Sequence, residues 1–264
     1  MKKQSSVKYT LSGKGPAVVL IHGFCESKDI WKDYHQQLQN KYTIITPDLP
    51  GFGESPLQHS EVSIEYFADQ IHELLMSLQV ENIIMIGHSL GGYVTLAYAE
   101  KYPHMLKGFG LFHSTAFADS EDKKINRDRT IDFIKKHGVA PFAESFVEPL
   151  FFMRNRKHLE KQILLMKEQT KNTSQESIIS TTIAMRDRID RTEVLKKASC
   201  PVLFIVGKED GPVPLNKSLE QCYLPIQSVV HFFSECGHMG MYEKKEETLM
   251  AVNQFIELCL KKSS

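Results

Sequence analysis

Ser89 stands in GHSLGG, between glycines and directly after the apolar run NIIMI. A G-x-S-x-G frame that follows a strand-like run and opens the helical YVTLAYAEKY is the setting of a nucleophile elbow. Glycines on both sides let the backbone turn sharply, and a helix N-terminus beneath the serine favours negative charge developing there. The chemistry of such a serine is acyl transfer, and it needs partners. A hydroxyl is a poor nucleophile near neutral pH unless a base takes its proton, a third group fixes that base's tautomer, and donors receive the oxyanion. The frame alone decides little, because glycine at about 7% of residues makes a chance match in a chain of this length roughly a one-in-ten event.

Eleven histidines compete to be the base. His238, in ECGHMGMYEKKEE, follows the strand-like SVVHFF and precedes the last helix, which puts it on the same sheet edge as Ser89. His22 and His88 flank strand ends and read as loop-orienting residues, and His231 lies inside a strand. For the orienting acid, GKEDGPVP follows the run PVLFIV, again at a carboxyl end. Asp210 is preferred, being the shorter carboxylate at a turn fixed by Gly-Pro; the spacing leaves Glu209 open as the alternative. The chain order Ser89, Asp210, His238 is the order of this elbow architecture. Oxyanion donors are expected from the backbone N–H groups of Leu90, after the nucleophile, and Phe24, in the HGF that ends the first core strand, with Gly23 allowing close approach.

Those residues need a sheet to hold them. Short runs rich in β-branched residues, AVVLI (17–21), YTIIT (42–46), NIIMIG (82–87), GFGLFH (108–113), PVLFIVG (201–207) and SVVHFF (228–233), alternate with segments of helical period. This is the pattern of a mostly parallel sheet buried on both faces and covered by helices. SIEYFADQIHELLMSLQV (63–80) carries Ile64, Phe67, Ile71, Leu74, Leu75 and Leu78 on one stripe with Ser63 placed to cap it, and KKEETLMAVNQFIELCLKK closes the chain as a similar helix. VKYTLSGKGPAVVLI reads as a hairpin turning at SGKG, which would add an antiparallel edge.

From 116 to 190 the rhythm breaks: the sequence is helical and heavily charged, with no strand candidate. The expected organisation is a core of residues 1–115 and 191–264 with a helical cap, 116–190, inserted where the strand ending at His113 leaves the sheet. Substrates sit outside the carboxyl ends of strands in such sheets, so the cap faces the site. Candidate pocket residues are Cys25, beside the oxyanion donor; His113, at the strand end feeding the cap; Phe142 and Phe146, on a lid stripe with Leu150; and Met239, beside the base. Ser114 shares His113's position, as a substrate contact or a turn cap. The charges at Lys135, Lys136, Arg154, Arg156 and Lys157 read as a solvated outer face. An inward Arg186 or Arg188 would favour a carboxylate-bearing substrate.

With 264 residues and 42% hydrophobic content, the chain suits one elaborated domain. Lys plus Arg and Asp plus Glu both total 32, so no basic excess drives binding to nucleic acid or to an anionic bilayer. No apolar run is long enough to span a membrane, and MKKQSSVKYT is followed by no signal-type apolar region, so the expected location is cytoplasmic. The five cysteines are odd in number and lack CxxC spacing, pointing to reduced, mostly buried thiols and to no metal site. The expected partner is a small-molecule substrate, without cofactor; oligomeric state is left open.

HGF, DLPGFGES, GHSLGG, MRDRID, GKEDGPVP and CGHMGMYEK stand in the order found across the α/β-hydrolase superfamily, which the chain resembles over nearly its whole length. Within that superfamily, HGVAPFAESFVEPLFF and AMRDRID look most like the capped esterases and enol-lactonase-like serine hydrolases. The resemblance implies an α/β fold with a mostly parallel eight-stranded sheet, helices on both faces and a helical cap. It also implies cofactor-independent cleavage of a small carboxylic ester, thioester or lactone through Ser89, Asp210 and His238. Asp48, Gly51, Gly53 and Ser55 would then form a sharp loop outside the chemistry. Ser89 sets aside relatives with an aspartate nucleophile, whereas carbon–carbon bond hydrolases, cofactor-free haloperoxidases and a non-enzymatic small-ligand receptor all remain open. The chain departs from the pattern in having Phe24-Cys25, and no proline, after HG; the backbone donor is unaffected.

Overall fold

The apolar runs become strands in the computed structural model, which describes residues 5–261. Met1–Gln4, read above for a targeting signal, and the last three residues, including the end of the closing helical run, lie outside the described residues. Seven strands form one sheet: β1 (Tyr9–Ser12), β2 (Ala17–Ile21), β3 (Thr43–Pro47), β4 (Ile83–His88), β5 (Leu106–Phe112), β6 (Val202–Gly207) and β7 (Ser228–Phe233). Their order is β1-β3-β2-β4-β5-β6-β7, and every pair is parallel except β1 with β3. The described sheet thus has seven strands where eight were expected.

The antiparallel edge is present, but it is not a hairpin. β1 pairs with β3, Tyr9 opposite Pro47 and Ser12 opposite Ile44, so β3 lies between β1 and β2. The SGKG turn instead crosses the chain entering β3. A Cβ on Gly13 (φ +86°) would stand 2.0 Å from Tyr42 O, a contact only glycine allows.

Helices cover both faces: α1 (Lys32–Leu38), α2 (Ile64–Ser77), α3 (Leu90–Lys101), α4 (Glu121–His137), α5 (Val139–Phe146), α6 (Glu160–Lys171), α7 (Gln175–Arg186), α8 (Thr192–Lys196), α9 (Leu215–Gln221), α10 (Gly240–Glu243) and α11 (Lys245–Lys261). Successive strand residues point to opposite faces, yet both faces are apolar because both are covered. Val19 and Ile21 of β2 pack with Phe67, Ile71 and Val94 of α2 and α3, whereas Val18 and Leu20 pack with Tyr34, Phe255 and Ile256 of α1 and α11. Ser63 caps α2 through Oγ, which accepts from Tyr66 N at 3.1 Å. The two edge strands depart from full burial: β1 is mostly exposed, and β7, the last strand in the order, is half-buried apart from the exposed Phe232. His231 lies within it, stacked on Phe233.

Between β5 and β6 the chain makes α4 to α7 as an insertion, followed by α8. Its ends meet: Arg191 N–H donates to Ala116 O at 2.7 Å, and Gln221 of α9 accepts from Ala116 N and donates to Ser114 O. The insertion therefore leaves and rejoins the core at one point. No helix among the described residues is long and apolar enough to cross a membrane.

The strand order reverses between β2 and β4, which are neighbours although β3 intervenes in sequence. That switch point opens a crevice at the strands' carboxyl ends, and the turn from β4 into α3 borders it. A Cβ on Gly87 would stand 2.0 Å from Gly91 O, and one on Gly91 2.5 Å from Ile21 O. Neither glycine has a positive φ; both are needed for close approach. Gly91→Ala is expected to cost about 2 kcal/mol or more in urea denaturation, as overpacking against backbone does. Gly211→Ala, where a Cβ meets nothing within 4 Å, should stay within about 0.5 kcal/mol of wild type.

Candidate active site

Ser89 sits at the N-cap of α3 with φ 49° and ψ −112°, a left-handed backbone that a non-glycine residue holds at a cost of about 1 to 3 kcal/mol. The strain falls on the serine itself. It is held by Ser89 N–H donating to Phe112 O (3.0 Å), while Ser89 O accepts from the amides of Gly92 (2.9 Å) and Tyr93 (3.3 Å) and from Ser114 Oγ (2.7 Å). Ser114 is thus bound to the elbow backbone.

His238 follows β7 on a loop fixed from several sides. Its Nδ1 lies 3.0 and 2.9 Å from the two carboxylate oxygens of Asp210. Its N–H donates to Leu150 O (2.7 Å), and Glu243 Oε1 accepts from the adjoining amides of Gly237 (3.0 Å) and Met239 (3.1 Å). Asp210 is buried and also accepts from Val213 N (2.8 Å) and from His113 Nδ1 (2.9 Å). Burial alone would raise its pKa, but the two imidazoles outweigh burial and hold the carboxyl well below the usual carboxylate range. Glu209 points elsewhere: its Oε2 accepts from Cys236 N at 3.0 Å, holding the histidine loop.

The loop after β2 carries the expected Phe24 donor. Gly23 N–H is taken by Glu26 Oε2 (2.5 Å), whereas among the described residues no hydrogen bond takes the N–H of Phe24 or Leu90. Both N–H groups are thus without a hydrogen-bond partner among the described residues. Glu26 also binds His88. Both ring nitrogens of His88 face acceptors, Nδ1 at Glu26 Oε2 (2.9 Å) and Nε2 at His238 O (3.0 Å), an arrangement that favours a ring protonated at both. Burial works against that charge, but Glu26 raises the His88 pKa above its ordinary value, and His88 in turn lowers that of Glu26. His22 has its loop-orienting place, Nδ1 against Gly23 O (2.7 Å) and Nε2 accepting from Leu49 N (2.9 Å). Asp48 receives the main chain and the ammonium of Lys28, each at 2.7 Å, inside the loop that Gly51 and Gly53 turn.

Residues 16–245 match the family model described as alpha/beta hydrolase fold. The chain belongs to this family. It is 30% identical over 247 residues to Lipase 1 of Psychrobacter immobilis, covering 89% of this chain and 74% of the lipase. A thermophilic esterase from Thermogutta terrifontis superposes with a TM-score of 0.91 at 28% identity, covering 96% of this chain and 93% of the esterase. The 2-hydroxy-6-oxo-2,4-heptadienoate hydrolase of Pseudomonas putida is 24% identical over 256 residues, 92% of this chain and 90% of that one. An uncharacterized protein of Mycobacterium bovis is 35% identical over 98 residues, and the chain spans only 29% of its length.

In this α/β-hydrolase a cavity of about 240 Å³ joins the elbow to the insertion. Ser89 and His238 line it with Phe24, Tyr93 and Pro212 from the core, and α4, α5, α7 and Leu150 close the other side through Arg127, Phe146 and Met185 among others. Of the five candidate pocket residues, only Phe146 lines it. Phe142 lies behind, stacked on Phe146 (ring centroids 4.9 Å) and edge-on to Phe24 (6.4 Å), because one stripe of a helix faces partly the cavity and partly the core. Cys25 and Met239 are buried in the packing beneath, and burial pushes the Cys25 thiol pKa well up. His113 is committed to Asp210. Arg186 turns out to Asp128 and Asp187; Arg188 is buried but bound to Asp119 and stacked over Tyr93 at 4.1 Å. The sequence reading missed Glu26, Glu243 and the cavity face of α4. Glu26 lies three residues beyond the glycine whose N–H it accepts, a readable spacing, but its partner His88 is 62 residues away.

His113, Asp210 and His238 bring ligand atoms within 4.8 Å of one another, near enough to chelate a cation. Their mutual hydrogen bonds already use both Nδ1 atoms and the carboxylate.

The Glu26–His88 pair gives a signed pH dependence. A His whose folded pKa is raised contributes stability fully present below its unfolded value of 6.5 and lost as pH rises through the folded value. Glu26→Gln, which removes one partner of a buried ion pair, should cost about 3 kcal/mol near pH 6. That cost should shrink as pH climbs above 6.5 and through the raised His88 value, read from denaturation midpoints of both proteins across the range.

Proposed function

We propose that this α/β-hydrolase is a cofactor-independent serine hydrolase cleaving a small carboxylic ester, thioester or lactone. One observation carries the reading: Ser89 and His238 line a single cavity, and His238 Nδ1 is held by a buried, ionised Asp210. The likeness to a lipase and to an esterase supports ester chemistry. With Nδ1–H on Asp210, the His238 Nε2 lone pair is available to take the Ser89 proton as Oγ attacks the carbonyl carbon. The negative charge passes to the carbonyl oxygen, received by the Phe24 and Leu90 amides. His238 then delivers the proton to the leaving oxygen or sulfur as its bond to carbon breaks. Water, deprotonated by the same nitrogen, attacks the acyl-enzyme and frees the acid. Residues 116–190 act as a cap on a core of 1–115 and 191–264, and the substrate is a small molecule. The five free thiols fit a reducing, cytoplasmic location.

A second reading, carbon–carbon bond hydrolysis, is favoured by the full-length match to the heptadienoate hydrolase. It would use the same three residues and show feeble ester turnover beside fast cleavage of a dienol-type diketone.

Ser89→Ala should abolish hydrolysis of short-chain p-nitrophenyl esters and labelling by a fluorophosphonate; full retention of both overturns the nucleophile. Asp210→Asn should lower kcat by about ten-thousand-fold, through the wrong histidine tautomer. Glu209→Gln should retain most turnover and lose about 1 kcal/mol of stability with the Cys236 hydrogen bond. The reverse pattern in steady-state kinetics would make Glu209 the orienting acid.

A further inference from the structure

The cavity has two unlike walls. Phe24, Phe146, Leu150 and Met185 make one apolar, whereas α4 presents Lys123, Asn126, Arg127 and Thr130 at spacings of three and four, one helical face. The charge on that face is not balanced locally. Arg127 Nε donates to Asp119 Oδ2 (3.0 Å), but Asp119 Oδ1 is already paired with the buried Arg188 (2.7 Å), so two guanidinium groups share one carboxylate. Lys123 donates from Nζ to Pro212 O (3.1 Å), a neutral acceptor that uses one of its three hydrogens. The remaining carboxylate at the cavity, Glu26, is paired with His88. Glu121 is taken by Lys124, and Asp128 by Arg186.

We infer that Lys123 and Arg127 form an anion subsite, and that the substrate of this hydrolase is an ester carrying a carboxylate away from its scissile carbonyl. Lys123 and Arg127 keep donors beyond those bound to Pro212 and Asp119, and both half-buried side chains are partly screened from water, where charge-assisted hydrogen bonds gain strength. The apolar wall receives the chain between the two ends. Arg188, the arginine the sequence put forward, acts from behind: it shares Asp119 with Arg127, so the two guanidinium groups together keep one positive charge that this carboxylate does not balance.

The inference rests on the serine-hydrolase reading, and the test separates the two. Mono-p-nitrophenyl glutarate is compared with p-nitrophenyl valerate, and 4-acetoxybenzoate with its methyl ester, so that the anion stands on the acyl or the alcohol side. In one of the pairs wild type should favour the anionic ester in kcat/KM by about tenfold or more, a preference that fades as salt rises. Lys123→Gln with Arg127→Gln should remove most of that ratio, Arg127→Lys should keep part of it, and Lys124→Gln, on the pair with Glu121, should keep all of it. Calorimetry on Ser89→Ala, which needs no turnover, should show monomethyl glutarate binding that the double variant loses. Neutral esters turned over with no anionic preference in either pair, or a preference unchanged in the double variant, overturns the subsite while leaving the serine reading intact. Absence of both ester turnover and fluorophosphonate labelling overturns the serine reading; glutarate binding lost in the double variant would still uphold the subsite.

Discussion

A carboxylate almost wholly removed from water sits at the end of β6, and it stays ionised only because other chain segments bring it hydrogen bonds. Asp210 receives His113 from the end of β5, His238 from the loop after β7, and Val213 N–H from its own turn. Removing any one leaves a buried charge short of a partner, a loss of several kcal/mol in a protein whose total stability is only about 5 to 15. The carboxylate thus ties the ends of β5 and β6 to the loop after β7. His113 shows the cost: its φ of 48° is left-handed, and its Nε2 has no hydrogen-bond partner, conditions tolerated because Nδ1 reaches Asp210.

A second buried pair ties the opposite side together. Glu26 fastens the loop after β2 through Gly23 N–H, and His88, paired with Glu26, reaches the carbonyl of His238. The loop that presents Phe24, the residue before Ser89 and the His238 loop are thus joined through one imidazole. Glu243 extends the connection to the insertion, since its Oε2 accepts from Phe152 N (2.9 Å) while its Oε1 holds the His238 loop.

What the sequence revealed follows from range. The β-branched runs, the Ser63 cap, the elbow and the order Ser89, Asp210, His238 are local patterns, and each lies where its pattern puts it. Strand pairing is not local: VKYTLSGKGPAVVLI looks like a hairpin, yet β3 enters between its arms because the SGKG turn fits over Tyr42. The Phe142–Phe146 stripe identified the right helix, but which member faces the cavity depends on how α5 crosses the core, and Phe146 alone does. The polar face of α4 was hidden for the same reason. Lys123 and Arg127 read like any charges on a solvated helix until the fold sets them opposite Ser89.

Whether Ser89 becomes acylated is the central chemical claim, and rapid-quench mass spectrometry of the intact protein with p-nitrophenyl acetate addresses it most directly. The account predicts one acetyl adduct, appearing before steady turnover and mapping to the peptide that contains Ser89. An adduct on another residue, or steady p-nitrophenol release with no adduct in a deacylation-slowed variant, would contradict it.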